Sequence, residues 1–207
     1  MAHHAWGPVG ILIWMFTIGI AKGDMIDTRG LKSWETCALC HGVDGDSHMA
    51  KFPKLAGQSI AYLTKQLRDF KNKRRSNDKG AMTSMAESKS EETLIEAARY
   101  FSALPAPPAN KLPQVIDRNA RKLFEHGDPA RGLPACRTCH GREAHIPWLQ
   151  AQHAAYLEKQ LLDFKWRDRR NDLDGVMRRI ARLLSVEEVT ALARFLSGQT
   201  RPTVLQR

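Results

Sequence analysis

Two short motifs constrain this chain more than any other feature. "CALCH" at 37–41 and "CRTCH" at 136–140 together contain all four of its cysteines. A histidine directly after a Cys-x-x-Cys pair is typical of covalent haem c attachment. The two sulfurs bond to the former vinyl groups of the haem, and the imidazole reaches the iron. The two motifs therefore predict two covalently bound haem c groups.

Two other uses of four cysteines are weaker. Disulfide bonds would leave the histidine after each pair unexplained. A zinc site usually has its Cys-x-x-Cys pairs roughly 15–20 residues apart, whereas these pairs lie in separate halves of the chain.

An internal repeat sets the organisation of the chain. The segment "PKLAGQSIAYLTKQLRDFKNKRRSND" from Pro53 aligns without a gap with "PWLQAQHAAYLEKQLLDFKWRDRRND" from Pro147. The second copy then has one extra residue, after which Met82 aligns with Met177. This register predicts a first domain at 24–104, a proline-rich linker at 105–113 and a second domain at 114–200, and residues 1–23 are expected to be a signal peptide or N-terminal anchor.

Both repeats have the periodicity of amphipathic helices. Apolar residues recur every three or four positions, which places them on one helical face. The residues with this spacing are Ile60, Leu63, Leu67 and Phe70 in the first copy, Leu157, Leu161 and Phe164 in the second, and Ile116, Ala120, Leu123 and Phe124 before the second motif. A closing helix begins at Ser185, which forms a capping-box pair with Glu188. No strand-like alternation competes, so the expected fold class is all-α.

Methionine is the expected second axial ligand of each iron. Met177 is the only methionine after Met85, and it precedes the last helix. In the first repeat Met82 and Met85 compete, and the repeat register favours Met82 because Met85 aligns with the apolar Ile180. His145 and His153 are the alternatives to Met177, while His48, Met49 and His126 are expected at the surface.

Arg75 and Arg169 occupy the same position in the two repeats. One interpretation places them at solvated helix ends. The other pairs them with haem propionates, for which the guanidinium fork is suited.

Charge and the N-terminus bear on partners and location. The net charge is +10, which favours partners with an acidic docking surface, and most of the excess lies in the second half. Acidic residues interrupt the basic stretches and no nucleic-acid module is present, so nucleic acid is not expected. The apolar run at 9–21 is too short for a comfortable span but fits a signal-peptide core. Export is expected, with cleavage or a retained anchor as the two outcomes.

These motifs give the chain a clear family resemblance. "CALCHGVDGDS", "FPKLAGQSIAYLTKQLRDF", "LPACRTCHG" and "MRRIARLLSVEEVTALARFLSG" together make it similar to the dihaem cytochromes c of the cytochrome c₄ type. The resemblance runs from about residue 24 to 199. It implies two tandem class I cytochrome c domains related by pseudo-twofold symmetry.

The resemblance also implies a site and a function. Haem would be attached through Cys37, Cys40, Cys136 and Cys139, with His41, Met82, His140 and Met177 as axial ligands to iron. The carbonyls of Pro53 and Pro147 would accept the Nδ1–H of His41 and His140. The chain would be a periplasmic electron carrier rather than an enzyme, passing electrons from a donor such as a quinol-oxidising complex to a terminal oxidase or other acceptor.

Two rival functions remain open. One is the dihaem electron-transfer subunit of a flavoprotein dehydrogenase of the sulfide dehydrogenase type. The other is a dihaem peroxidase, which would need an accessible axial position at one iron.

Overall fold

The fold is built from α-helices, as the periodicity predicts. A computed structural model describes residues 1, 30–111, 117–141 and 143–202. The helices in this part of the chain are α1 Glu35–His41, α2 Ile60–Lys71, α3 Ala81–Glu87, α4 Glu91–Ala103, α5 Arg118–His126, α6 Ala154–Trp166, α7 Val176–Leu183 and α8 Val186–Ser197. Within the same ranges the only β-type pairing is an isolated bridge between Asp128 and Leu133.

Side-chain caps determine where most of the longer helices begin. The Ser90 hydroxyl accepts the backbone N–H of Thr93 at the start of α4. The Asp117 carboxylate accepts two backbone N–H groups at the start of α5. Ser185 and Glu188 form the predicted capping box at the start of α8. Such caps satisfy amide groups that have no partner inside the helix.

Each repeat packs its own apolar core. In the first repeat Leu63, Ala98 and Phe101 form one cluster, and a second cluster packs around Phe70. In the second repeat a single cluster joins α5, α6 and α8; its members include Ala120, Leu123, Phe124, Leu157, Val189, Leu192 and Leu196. Burying a Phe or Leu side chain stabilises the fold by roughly 1.5–3 kcal/mol.

The predicted helix faces are confirmed with one correction. Ile60 does not belong to the buried face of α2: it is the first residue of the helix and is 41% exposed. Leu63 and Phe70 are buried as predicted, and Leu67 is partly buried against them. Ile116 lies outside the described residues.

Two glutamines show the pseudo-twofold relation between the repeats. The Gln58 amide donates to the carbonyl of Trp148 (3.1 Å) and accepts the N–H of Trp148 (2.9 Å). The Gln152 amide makes the same pair of bonds with the backbone of Lys54, both at 2.9 Å. Gln58 and Gln152 are equivalent in the repeat, as are Lys54 and Trp148. The two repeats therefore contact each other through the same surface.

The linker is fastened to this interface. The Asn110 amide nitrogen donates to the Ser197 hydroxyl (2.7 Å) and to the Gln152 carbonyl (3.0 Å). Its carbonyl oxygen accepts from the Lys54 ammonium at 2.9 Å. Lys54 is buried and also forms an ion pair with Asp46 at 2.9 Å. Asn110 thus connects the end of α8 to both repeats.

The predicted leader, apart from Met1, lies outside the described residues, as do residues 112–113 of the linker. None of the helices that the structure describes has the length and apolarity to cross a membrane.

Candidate functional site

The first Cys-x-x-Cys-His motif lies on α1. Cys37 is partly buried, Cys40 is exposed, and neither forms a disulfide. Burial raises the pKa of the Cys37 thiol, and it raises that of Cys136 to about 11. Before haem is attached, these thiols therefore stay protonated at neutral pH, unlike the low-pKa thiolates of reactive cysteines.

The second motif has a different backbone. Cys136–Thr138 forms a single 3₁₀ turn instead of an α-helix, and Cys139 follows as its C-cap. Across the described ranges, no three His, Cys, Asp or Glu side chains are grouped to hold a metal ion. The two cysteine pairs are therefore not assembled into a shared zinc site.

Both motif histidines are oriented in the same way. The Nδ1 of His41 lies 2.8 Å from the Pro53 carbonyl oxygen, and the Nδ1 of His140 lies 2.9 Å from that of Pro147. Since a carbonyl only accepts, Nδ1 carries the proton and Nε2 is left with a free lone pair. Burial lowers the pKa of both imidazoles, which keeps them neutral. A neutral imidazole fixed through its other nitrogen is the usual form of a metal-binding histidine.

The candidate methionines have equivalent positions. Met82 is the second residue of α3 and Met177 is the second residue of α7, and both are partly buried. An aspartate holds each helix start: Asp78 accepts the N–H of Thr83 at 2.8 Å, and Asp172 accepts that of Arg178 at 3.0 Å. The two methionine loops are therefore anchored by the same device.

The extra residue of the second repeat lies in its methionine loop. Leu173–Gly175 forms a 3₁₀ turn in which Asp174 has a left-handed backbone with φ of 50°. Leu173 is 74% exposed in this turn. The loop of the first repeat has one residue fewer and passes directly from Lys79 to Gly80.

The two histidine alternatives to Met177 lie in different surroundings from it. His153 is the N-cap of α6, and its Nε2 lies 2.7 Å from the Ser47 carbonyl oxygen in the other repeat. His145, the second alternative, is exposed in the loop between the second motif and Pro147. His48, Met49 and His126 are exposed, as predicted.

Arg75 and Arg169 are buried, so their assignment to solvated helix ends is wrong. Arg75 donates to the side-chain oxygens of Gln66 and Gln160, both at 2.8 Å. Arg169 donates to the same two oxygens, at 2.9 and 2.8 Å. Each guanidinium also lies over a phenylalanine ring, 4.6 Å from the centroid of Phe70 or Phe164.

These two guanidiniums have no anionic partner among the described residues. Neither forms an ion pair with a carboxylate there; their partners are amides and the hydroxyls of Tyr62 and Tyr156. Burying two unpaired cations side by side is costly. The site therefore fits a prosthetic group that brings carboxylates, and a haem carries two propionates.

The sequence did not predict that this arginine cluster lies at the interface between the repeats. The signal that could have revealed it is that the polar residues at equivalent positions are identical in the two repeats. Gln66, Arg75 and Asn77 in the first repeat match Gln160, Arg169 and Asn171 in the second, although a solvated surface tolerates drift at such positions. In the structure each asparagine contacts the opposite repeat, as Asn171 does by donating to Asp69 at 2.7 Å.

Known proteins share both the sequence and the fold. The sequence profile of the cytochrome c family matches residues 28–94. Cytochrome c4 of Stutzerimonas stutzeri is 36% identical over 207 residues, covering 92% of this chain and 97% of that protein. The thiosulfate dehydrogenase electron acceptor of Stutzerimonas stutzeri strain A1501 is 33% identical over 206 residues, covering 95% and 94%.

A solved structure extends the likeness to three dimensions. The crystal structure of reduced recombinant cytochrome c4 from Pseudomonas stutzeri superimposes with a TM-score of 0.71 at 37% identity, covering 80% of this chain and 94% of that one. The all-α tandem fold is thus that of a dihaem class I cytochrome c. The chain belongs to the cytochrome c₄ family, and it is a dihaem electron-transfer protein with covalently bound haem c rather than an enzyme.

Proposed function

We propose that this protein is a periplasmic carrier that passes single electrons from a respiratory donor to a terminal oxidase or another acceptor protein. The observation that carries the proposal is the matched pair of histidines. His41 and His140 each follow a cysteine pair, and each is fixed through Nδ1 by a proline carbonyl in one half of a pseudo-symmetric pair.

The haem-holding residues follow from this arrangement. Cys37 and Cys40 would attach the first haem and Cys136 and Cys139 the second. The axial ligands would be His41 with Met82 and His140 with Met177. When bound, each haem supplies a one-electron iron couple whose potential methionine ligation raises. With these residues as ligands, no iron position would be open to a substrate, so the protein's part would be to hold and shield the irons. The units 24–104 and 114–200, joined by 105–113, are the proposed domains.

Arg75 and Arg169 would neutralise haem propionates at the interface. Their burial together, without a carboxylate among the described residues, supports this assignment over a purely structural role. A positive charge beside a haem also favours its reduced state, since oxidised haem carries one more positive charge.

A second candidate is an electron-accepting subunit or partner of a dehydrogenase. The relative named thiosulfate dehydrogenase electron acceptor covers nearly the whole chain, and that name favours the dehydrogenase class of donor. In this version another protein performs the substrate chemistry, as it would for the flavoprotein sulfide dehydrogenase type.

Periplasmic location rests on the apolar run at 9–21 and on the haem-attachment motifs. The run would be cleaved as a signal peptide or kept as a membrane anchor. Protein sequencing of the mature N-terminus distinguishes these outcomes.

The test is a haem count combined with axial-ligand spectroscopy on the purified protein. A pyridine haemochrome assay should give two haems per chain. Both should be low-spin and show the methionine-to-iron charge-transfer band in the far red. A high-spin haem would instead indicate a peroxidase, and fewer than two haems would contradict the proposal. Co-purification separates the two candidates: a dehydrogenase subunit should bring its dehydrogenase, whereas a carrier should purify alone or with an oxidase.

A further inference from the structure

One outer face of the second repeat combines exposed apolar side chains with arginines that form no ion pair within the described part of the chain. The Lys165 ammonium donates to the carbonyls of Leu184 (2.7 Å) and Arg182 (3.4 Å), which ties the end of α6 to the end of α7. Next to this contact Trp166 is 57% exposed and Leu183 is 39% exposed. We define the Trp166 face as the surface formed by Leu162, Trp166, Arg167, Arg182, Leu183 and Val186.

The equivalent surface of the first repeat is polar and carries ion pairs. There Arg68 pairs with Glu91, and Lys73 pairs with Glu87 at 3.0 Å. The first pair joins α2 to α4, and the second joins the residue two positions after α2 to the end of α3. Asn72 occupies the position equivalent to Trp166.

Each of these polar contacts is replaced in the second repeat. The Arg68–Glu91 pair becomes Leu162 with Val186, which is 41% exposed. The Lys73–Glu87 pair becomes Arg167 with Arg182. Asn72 and Ser88 become Trp166 and Leu183. A balanced, polar surface has thus become an apolar centre beside two cations.

The charges on the Trp166 face point to its partner. Neither Arg167 nor Arg182 forms an ion pair with any residue that the structure describes, and both are exposed. The first repeat has a cation and an anion at these two positions, whereas two arginines give the Trp166 face a positive charge that an acidic partner would complement. A second copy docked face to face would bring four arginines together, so self-association is disfavoured.

The composition favours a protein over a lipid surface. Tryptophan and arginine are enriched at protein–protein contact centres, where lysine and glutamate are depleted. Both changes occur here, including the replacement of Lys73 by Arg167. An anionic bilayer attracts lysine and arginine alike, so the exchange of lysine for arginine fits a protein contact better than a lipid surface.

We propose that the Trp166 face is the docking surface for an acidic redox protein that exchanges electrons with the second haem centre. This rests on the proposed carrier function and adds the location and chemistry of one partner surface. Leu183 follows Met177 by six residues within α7, which is about 9 Å along the helix axis. A partner on this face would be held close to the second iron.

The test variants replace residues of the Trp166 face with their first-repeat equivalents. Trp166→Asn with Leu183→Ser, and Arg167→Lys with Arg182→Glu, introduce the side chains that the first repeat already carries. The control is Lys73→Ala with Glu87→Ala, which removes the equivalent first-repeat ion pair. Reduction and oxidation of each holoprotein are followed with washed respiratory membranes and, separately, periplasmic extract of the source organism, over a range of salt concentrations.

Both Trp166-face variants should exchange electrons about tenfold more slowly with one of the two fractions at low salt. The arginine variant should also show a flatter salt dependence. Haem content and the rate with an uncharged small chemical oxidant should stay unchanged in both variants, both potentials should stay unchanged in the charge-neutral Trp166→Asn with Leu183→Ser variant, and the control should match the wild type.

Unchanged rates in both variants would overturn the docking proposal while leaving the carrier function intact. So would equal losses in the control. If neither fraction exchanges electrons with the wild type, the carrier function itself fails. Vesicles of phosphatidylglycerol and phosphatidylethanolamine separate the lipid alternative: sedimentation of the wild type but not of the variants would assign the face to a membrane and overturn the proposal.

Discussion

The imidazole of His153 in the second repeat donates from Nε2 to the backbone carbonyl of Ser47, 2.7 Å away in the loop that follows the first haem motif. The relation is reciprocal: Ser59, which is equivalent to His153, donates its hydroxyl to the Ala144 carbonyl in the loop after the second motif. Each helix N-cap therefore holds the loop of the opposite repeat.

His153 should make the stability of the protein depend on pH. Burial lowers its pKa from the ordinary 6.5, and Lys54 adds to the effect, while the Ser47 carbonyl and Asp46 oppose it. The folded state thus takes up the proton less readily than the unfolded state. The stabilisation is present above pH 6.5 and is lost as the pH falls through the folded-state pKa.

Guanidinium unfolding of the holoprotein at pH 7.5 and 5.5 measures this effect. His153→Gln keeps a donor for Ser47 but does not titrate, so its free energy of unfolding should fall less between the two pH values. Carboxylates titrate equally in both proteins and cancel in the comparison. An identical fall in both would contradict the assignment.

Ala151 carries backbone strain that a glycine would relieve. Its φ is 63°, the same as that of its counterpart Gly57, and side chains with a Cβ pay about 1–2 kcal/mol there. Ala151→Gly should raise the free energy of unfolding by about 1 kcal/mol, less any gain in unfolded-state entropy.

Gly57→Ala is the matched reverse change. A Cβ at Gly57 would lie 3.1 Å from the Ala106 backbone, so crowding adds to the strain. We expect a loss of about 2 kcal/mol in the same denaturant titration. Stabilisation by this change would refute the strain argument at both sites.

Substituting Met82 and Met85 in turn distinguishes the axial ligand from a methionine that only packs in the core. Met82→Ala should abolish the methionine-to-iron band of one haem and lower its potential. Met85→Ala should leave both bands in place and cost only packing energy, because Met85 aligns with the core-packed Ile180. Absorption spectra of the two variants test this prediction. The reverse pattern would assign the axial ligand to Met85.

The buried arginines should influence haem potential. Arg75→Gln with Arg169→Gln removes two positive charges from the interface, so the potentials should fall. A fall of roughly 40 mV corresponds to about 1 kcal/mol for a one-electron couple. Potentiometric titration gives the answer, with Arg68→Gln as an exposed control. Unchanged potentials would mean that these cations are not near the haems.

The sequence predicted the local chemistry better than the contacts between repeats. Haem motifs, helix faces and the cap at Ser185 are set by residues within a few positions of each other, so periodicity and spacing reveal them. The burial of Arg75 and the contact of His153 with Ser47 depend on how one repeat covers the other. Periodicity cannot show this, because a polar residue against a partner repeat and one in water have the same spacing.

The reciprocal glutamine contacts explain why the stretch from Pro53 to Asp78 aligns with the second repeat without a gap. Both length differences between the halves fall outside it: one in the loop before Pro53 and Pro147, the other at Asp174. A residue inserted within the stretch would shift Gln58 relative to Arg75 on one side of the axis only, and the mirrored contacts would no longer coincide. The mirrored contacts therefore constrain the length of this stretch in both repeats, whereas the loops beyond it can differ in length without disturbing them.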